Sequence, residues 1–195
     1  WNSTKACNLR CIHCYYTAKA EPDPRELSTD EAKAFIDDLA DFGVPVLLFS
    51  GGEPLMREDL CELGAYAVAQ GLRTVISTNG TLIDQVNAGR IAEAGFSYVG
   101  ISLDGIGETN DRFRGVQGSF EAALEGFHRC QAAGVRTGLR LTLNKHNVED
   151  LSAILDLLRD EGIPRACFYH LVYAGRGQRM QADDLTLEET RAALD

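Results

Sequence analysis

The chemistry of this sequence is concentrated in Cys7-Asn8-Leu9-Arg10-Cys11-Ile12-His13-Cys14, where three cysteines fall at C-x3-C-x2-C spacing. Thiolates are soft ligands suited to iron–sulfur clusters, zinc and copper(I). Three from one short loop can hold three corners of a cubic cluster, and a [4Fe–4S] cluster normally takes four cysteines. No fourth cysteine follows nearby, so one iron would stay open to a non-protein ligand. A structural zinc site wants four closed ligands, usually as two spaced pairs. His13 could complete such a set on paper, but it sits between Cys11 and Cys14, where the loop would strain to point all four inward. Three unrelated thiols are disfavoured, because such bunching is rare among intracellular cysteines.

Further along, Gly51-Gly52-Glu53-Pro54 reads as a turn, which explains the glycines and proline but not the glutamate. Ser77-Thr78-Asn79-Gly80 contains an Asn-Gly turn signal. Ser102 and Asp104 break a run of strand residues; a buried Ser needs a partner, and Asp104 could equally cap the following loop. Arg140 lies between Leu139 and Leu141, where a buried arginine must be paired or hydrogen-bonded. It meets a ligand there or forms a structural salt bridge. Phe168–Gly177 runs from aromatic residues into a Gly-flanked arginine, with Arg179 close behind. It is either a strand followed by a flexible loop or a cavity wall. A wall would stack a ligand on Tyr169, His170 and Tyr173 and bind anions with Arg176 and Arg179. Cys61, Cys130 and Cys167 are scattered through apolar segments and read as small core residues.

The elements that must position these residues alternate. Trp1–Lys5 predicts a short strand delivering the cysteine loop, and Tyr15–Glu26 a polar connector. Ser28 with Glu31 forms a capping box that opens a helix ending at Gly43. Val46–Phe49 is a continuous apolar run, as expected of a strand buried on both faces. Helices then stop at Gly71, Gly95, Gly134 and Gly162, and strands follow at Thr74–Ser77, Tyr98–Leu103, Arg136–Leu143 and Ala166–Val172. Thr186 with Glu189 opens a last helix. Such repetition predicts an α/β fold with a parallel sheet and right-handed crossovers. Six units are too few for a closed eight-stranded barrel, so an open, partial (βα)6 barrel is expected. A doubly wound sheet would place a glycine-rich phosphate loop after the first strand, and none is there. Every stretch singled out follows a predicted strand, and ligands bind at strand carboxyl ends in parallel α/β folds.

With 195 residues, 45% hydrophobic and 25% charged, the chain is an ordinary globular domain. A net charge of −10 argues against a nucleic-acid surface. No apolar run approaches the roughly 18–20 residues of a membrane span, and no signal peptide is visible. Unpaired-looking cysteines fit a reduced cytoplasm. The chain starts at Trp1 and stops at Asp195 in helix-like sequence, which suggests a piece of a longer protein. Residues 1–182 are expected to form the core, and 183–195 the start of a C-terminal helical segment.

The cysteine motif resembles that of the radical S-adenosylmethionine (radical SAM) enzymes. The resemblance continues in order through Gly51–Pro54, Ser77–Gly80 and Ile101–Gly105, nearly the whole chain. It implies that Cys7, Cys11 and Cys14 hold a [4Fe–4S] cluster whose open iron binds SAM. It also implies that Gly51, Gly52, Glu53 and Pro54 meet the SAM ammonium, and that His13 packs the adenine. Ser102 and Arg114 become SAM contacts on the same grounds; Thr78 and Asn79 join them by their place after the third strand, Asp104 by its place beside Ser102, and Arg140, pointing into the barrel, meets SAM or substrate. The stretch around Phe168–Gly177, with Ile101–Gly115, resembles the heme d1 biosynthesis branch, which acts on side chains of a siroheme-derived tetrapyrrole. Peptide-modifying enzymes and alternative-heme-pathway decarboxylases are nearby branches. The resemblance further implies an external electron donor, and an auxiliary [4Fe–4S] cluster in a C-terminal extension.

Overall fold

The computed structural model describes all 195 residues, the side chain of Leu194 excepted. Six strands, β1 (Asn2–Thr4), β2 (Val46–Gly51), β3 (Arg73–Thr78), β4 (Tyr98–Ser102), β5 (Thr137–Thr142) and β6 (Ala166–Tyr169), form one sheet in sequential order. Every neighbouring pair is parallel. Between them lie α1 (Thr29–Asp41), α2 (Leu60–Ala69), α3 (Gln85–Glu93), α4 (Glu108–Arg114), α5 (Ser119–Ala132) and α6 (Leu151–Asp160), and α7 (Leu187–Leu194) follows β6. Right-handed crossovers that always advance the same way put α1, α2, α3, α5 and α6 on one face, and the sheet curls around the other. β1 and β6 are its two unpaired edges, so the barrel is partial and open, as expected.

Local signals explain most of these elements. Ser28 and Thr186 both close full capping boxes with Glu31 and Glu189. The helices that stop before Gly43, Gly71, Gly95, Gly134 and Gly162 do so where the backbone turns to φ between 63° and 86°, a region cheap only for glycine.

The central strands β2 to β5 alternate in the faces their larger side chains present. Leu47, Phe49, Ile76, Val99, Ile101, Leu139 and Leu141 point outward and pack on Ile36, Leu60, Leu63, Ile91, Phe127 and Ile154 of the helices. Ser50, Ser77, Ser102, Arg140 and Thr142 point into the lumen. The expectation that Val46–Phe49 is buried on both faces is therefore corrected. Leu47 and Phe49 are buried, but Leu48 is only half-buried and Val46 is exposed. One face of this strand has no helix over it, because it lines an open lumen. The last strand is also shorter than predicted: it ends at Tyr169 rather than Val172, and Gly175–Asp183 is 3-10 helix rather than flexible loop. Leu171 and Met180 pack with Phe113 as a separate small core, which draws this segment beneath α4. Helix α4 has no counterpart in the sequence pattern, because at seven residues it is too short to show a periodic apolar stripe.

Candidate functional site

The cysteine loop has little regular structure, so its backbone groups need partners elsewhere. At its entry, Gly52 N–H donates to the Thr4 carbonyl and Glu53 N–H to the Ala6 carbonyl, both at 2.7 Å. A Cβ on Gly52 would stand 2.2 Å from the Ala6 oxygen, so only glycine permits this approach. At its exit, Cys7 N–H donates to the Lys19 carbonyl at 2.7 Å. The last turn of α4 offers two carbonyls, Arg114 to Arg10 N–H at 3.0 Å and Phe113 to Ile12 N–H at 2.9 Å. From the 3-10 segment, Arg176 donates backbone N–H to the Cys14 carbonyl at 2.9 Å and Nε to the Cys11 carbonyl at 2.7 Å. The loop is thus clamped by parts of the chain from residue 4 to residue 176.

Cys7, Cys11 and Cys14 all carry free thiols and line one cavity of about 430 Å³ at the carboxyl ends of the strands. That volume is in the range of roughly 300–1,000 Å³ usual for small-molecule sites. Burial pushes the Cys7 thiol up to about 11 and raises Cys11, opposed there by Arg114. Among the described residues, no three His, Cys, Asp or Glu side chains converge on one point. A mononuclear zinc centre requires such convergence. A four-iron cube does not, because each thiolate meets a different iron. The donor set therefore fits a three-cysteine [4Fe–4S] cluster.

Of the expected contacts, His13, Gly51, Gly52, Thr78, Asn79, Ser102, Arg114, Arg140, Tyr169, His170 and Arg176 all line this cavity. Glu53, Pro54, Asp104, Tyr173 and Arg179 do not. Glu53 is fully buried and accepts from Thr78 Oγ1 at 2.7 Å, Asn79 N–H at 2.7 Å and Leu55 N–H at 3.1 Å. Its carboxyl, raised by burial despite these bonds, ties β2 to β3 behind the cavity surface. Pro54 opens the short 3-10 turn that follows. Tyr173 is exposed and donates its hydroxyl to Asp184, and Arg179 faces solvent, because β6 stops early and the chain turns outward.

Asp104 sits behind the cavity with no exposure. Its Oδ1 accepts Thr142 N–H at 2.9 Å, and Oδ2 pairs with Arg114 Nη2 at 2.5 Å. Arg114 in turn places Nη1 3.7 Å from Cys11 Sγ. Burial works against the Arg114 charge, and the Asp104 carboxylate is the largest influence favouring it. His13 Nε2 is 3.5 Å from Asp104 Oδ2, and its ring lies 4.6 Å from that of Phe113. Burial lowers it to about 4, so the imidazole is neutral at ordinary pH.

Sequence reasoning gave no individual role to Ser50, Ser77, Thr142, Tyr16 and Val172, which also line the cavity, although Ser77 and Val172 lie inside stretches it marked. For the first three the signal was present: each is a polar residue at a strand's carboxyl end, in the lumen-facing register.

The family profile described as the radical SAM superfamily matches residues 1–158. The chain belongs to the radical SAM superfamily of enzymes. This radical SAM chain is 63% identical over 195 residues to Fe-coproporphyrin III synthase of Methanosarcina barkeri, covering all of the chain and 49% of that protein. It is 47% identical over 196 residues to pre-heme d1 synthase of Dinoroseobacter shibae, again over all of the chain and 48% of that protein. It thus spans about half the length of these relatives. Among solved structures, Streptococcus suis SuiB bound to S-adenosylmethionine superposes with a TM-score of 0.83 at 18% identity, over 98% of this chain and 44% of that one. At that identity the likeness establishes the fold. No helix among the described residues is long and apolar enough to cross a membrane.

Proposed function

We propose that this chain is the SAM-cleaving part of an enzyme that modifies the side chains of an iron-bearing, siroheme-derived tetrapyrrole. The observation that carries the first half is the gathering of Cys7, Cys11 and Cys14 with Gly52, Thr78 and Ser102 around one cavity, with no fourth thiol beside them. The three thiolates hold the [4Fe–4S] cluster. When bound, the cluster supplies one electron for SAM cleavage and SAM supplies the deoxyadenosyl radical. The protein's own work is positioning. Glu53 and Asn79 fix the end of β3; Asn79 Nδ2 donates to Asn8 Oδ1 at 2.9 Å and so holds the cysteine loop against it. Ser102 presents its hydroxyl to the polar groups of SAM, while Thr78, whose hydroxyl is committed to Glu53, shapes the cavity wall beside it. Neutral His13, backed by Phe113, offers a flat face for the adenine.

The tetrapyrrole half is supported by the two relatives named for such products and by the aromatic wall of Tyr169 and His170. The relative with the higher identity favours a product of the Fe-coproporphyrin III class, and heme d1 formation is the second reading, carried by the other. The one-electron step also needs a reductant, and an external electron donor fills that role in either reading. Residues 1–182 form the catalytic core; the clamp of Arg176 on the cysteine loop supports including the 3-10 segment in it. An auxiliary [4Fe–4S] cluster belongs to the remainder of the full-length protein.

The test is anaerobic incubation of the full-length protein with SAM, reductant and siroheme-type tetrapyrroles, with products identified by mass. Side-chain loss from the tetrapyrrole coupled to 5′-deoxyadenosine formation is expected. A peptide turned over while tetrapyrroles cause no spectral change would replace this reading with a peptide-modifying one.

A further inference from the structure

Three arginines line the cavity, and they are not equivalent. Arg114 is held by Asp104. Arg176 donates Nε to the Cys11 carbonyl at 2.7 Å and Nη1 to the Ala18 carbonyl at 3.3 Å. Arg140, in the middle of β5, has no oxygen partner among the described residues. Its guanidinium instead stacks on the Tyr169 ring, 4.5 Å from the centroid. Stacking uses the flat face of a guanidinium and leaves its N–H edges free to donate. Room for the side chain is built into the neighbouring strand: a Cβ at Gly100 would lie 2.7 Å from Arg140 Cδ. The strand register places Arg140 between Ser102 of β4 and Cys167 of β6, with Thr142 two residues on and beside Tyr169.

A cation lining a cavity with no counter-charge is a site waiting for an anion, and a guanidinium matches a carboxylate in bidentate fashion. We infer that Arg140, held over the Tyr169 ring, receives a carboxylate of the substrate and sets which side chain of the tetrapyrrole is turned toward the β5–β6 wall. This rests on the tetrapyrrole reading above. The role expected of Arg176 and Arg179 thus passes to Arg140, because the first is committed to the cysteine loop and the second lies outside the cavity.

The experiment is a spectral titration of the full-length enzyme with siroheme and with its fully methyl-esterified form, in wild type, Arg140→Gln and Arg140→Lys. A hydrogen-bonded charge pair is worth about 10- to 100-fold in affinity. Wild type should prefer the acid to the ester by that factor, and Arg140→Gln should bind the acid that much more weakly and lose most of the preference. Arg140→Lys keeps the charge without the stacked fork and should fall between. The wild-type acid-to-ester comparison needs no substitution and stands even if a variant folds poorly. Wild-type binding without acid preference, or an Arg140→Gln protein that binds both forms as wild type does, overturns the inference and leaves the tetrapyrrole reading intact. Tetrapyrrole affinity retained in Arg140→Gln while SAM binding is lost assigns the guanidinium to SAM and overturns it too. A wild type that binds neither form overturns both.

Discussion

Replacing Asp104 by Asn tests the buried pair that underlies the site. Asn keeps the shape of the side chain, and its carbonyl still accepts Thr142 N–H, which Asp104 Oδ1 binds at 2.9 Å. What it removes is the charge facing Arg114, whose side chain is only 9% exposed and sits 2.5 Å from the carboxylate. The remaining neighbour, Cys11 Sγ at 3.7 Å, is a neutral thiol in the cluster-free protein and a weak acceptor. Breaking one side of a buried ion pair costs about 3–5 kcal/mol, since the other charge is left unpaired. The lower end applies because the backbone hydrogen bond survives. For a chain of this size, about 3 kcal/mol corresponds to a fall in Tm of roughly 6–12 °C. Urea and thermal unfolding of the cluster-free protein measure it. The double replacement Asp104→Asn with Arg114→Met should cost less than the sum of the two singles, because no charge is stranded. A loss below about 1 kcal/mol for Asp104→Asn, or strict additivity of the two singles, would refute the reasoning.

Other outcomes follow from the same geometry. Gly52→Ala puts a Cβ against the backbone of Ala6 and Lys5. It should cost about 2–4 kcal/mol and open residues 5–19 to limited proteolysis; an unchanged digestion pattern would show that the glycine is not needed for the close approach. Replacing Cys7, Cys11 and Cys14 together by Ala should abolish iron and sulfide content after reconstitution, and retained stoichiometric iron and sulfide would remove the cluster from this loop. His128 Nε2 meets Glu161 Oε2 at 2.6 Å, and that hydrogen bond raises the imidazole above its ordinary 6.5. The stabilisation is therefore fully present below about pH 6.5 and is lost as pH rises through the raised folded value. Because both groups are partly exposed, it amounts to about 0.2–1 kcal/mol. The stability gap between wild type and His128→Ala should close with rising pH in urea unfolding, and a gap that widens would contradict the assignment.

Much of the architecture is legible in the sequence because its causes are local. A helix that ends at glycine declares itself through one backbone dihedral, as at Gly43 and Gly162. A capping box is a matter of residues three apart, as at Ser28 and Glu31. Polar residues that alternate with apolar ones along a strand, such as Ser102 and Arg140, mark the lumen by alternation alone. The three cysteines needed only their spacing. What the tertiary structure alone decided is which charged groups remain available for chemistry. Glu53 is turned to the end of β3, Arg114 is neutralised by Asp104, and Arg176 reaches a carbonyl 165 residues away. None of these pairings has a sequence period, because each joins loops that meet only after the strands have curled into a barrel. An arginine's role depends on whether an oxygen lies within about 3 Å of it, and that distance exists only in the folded chain.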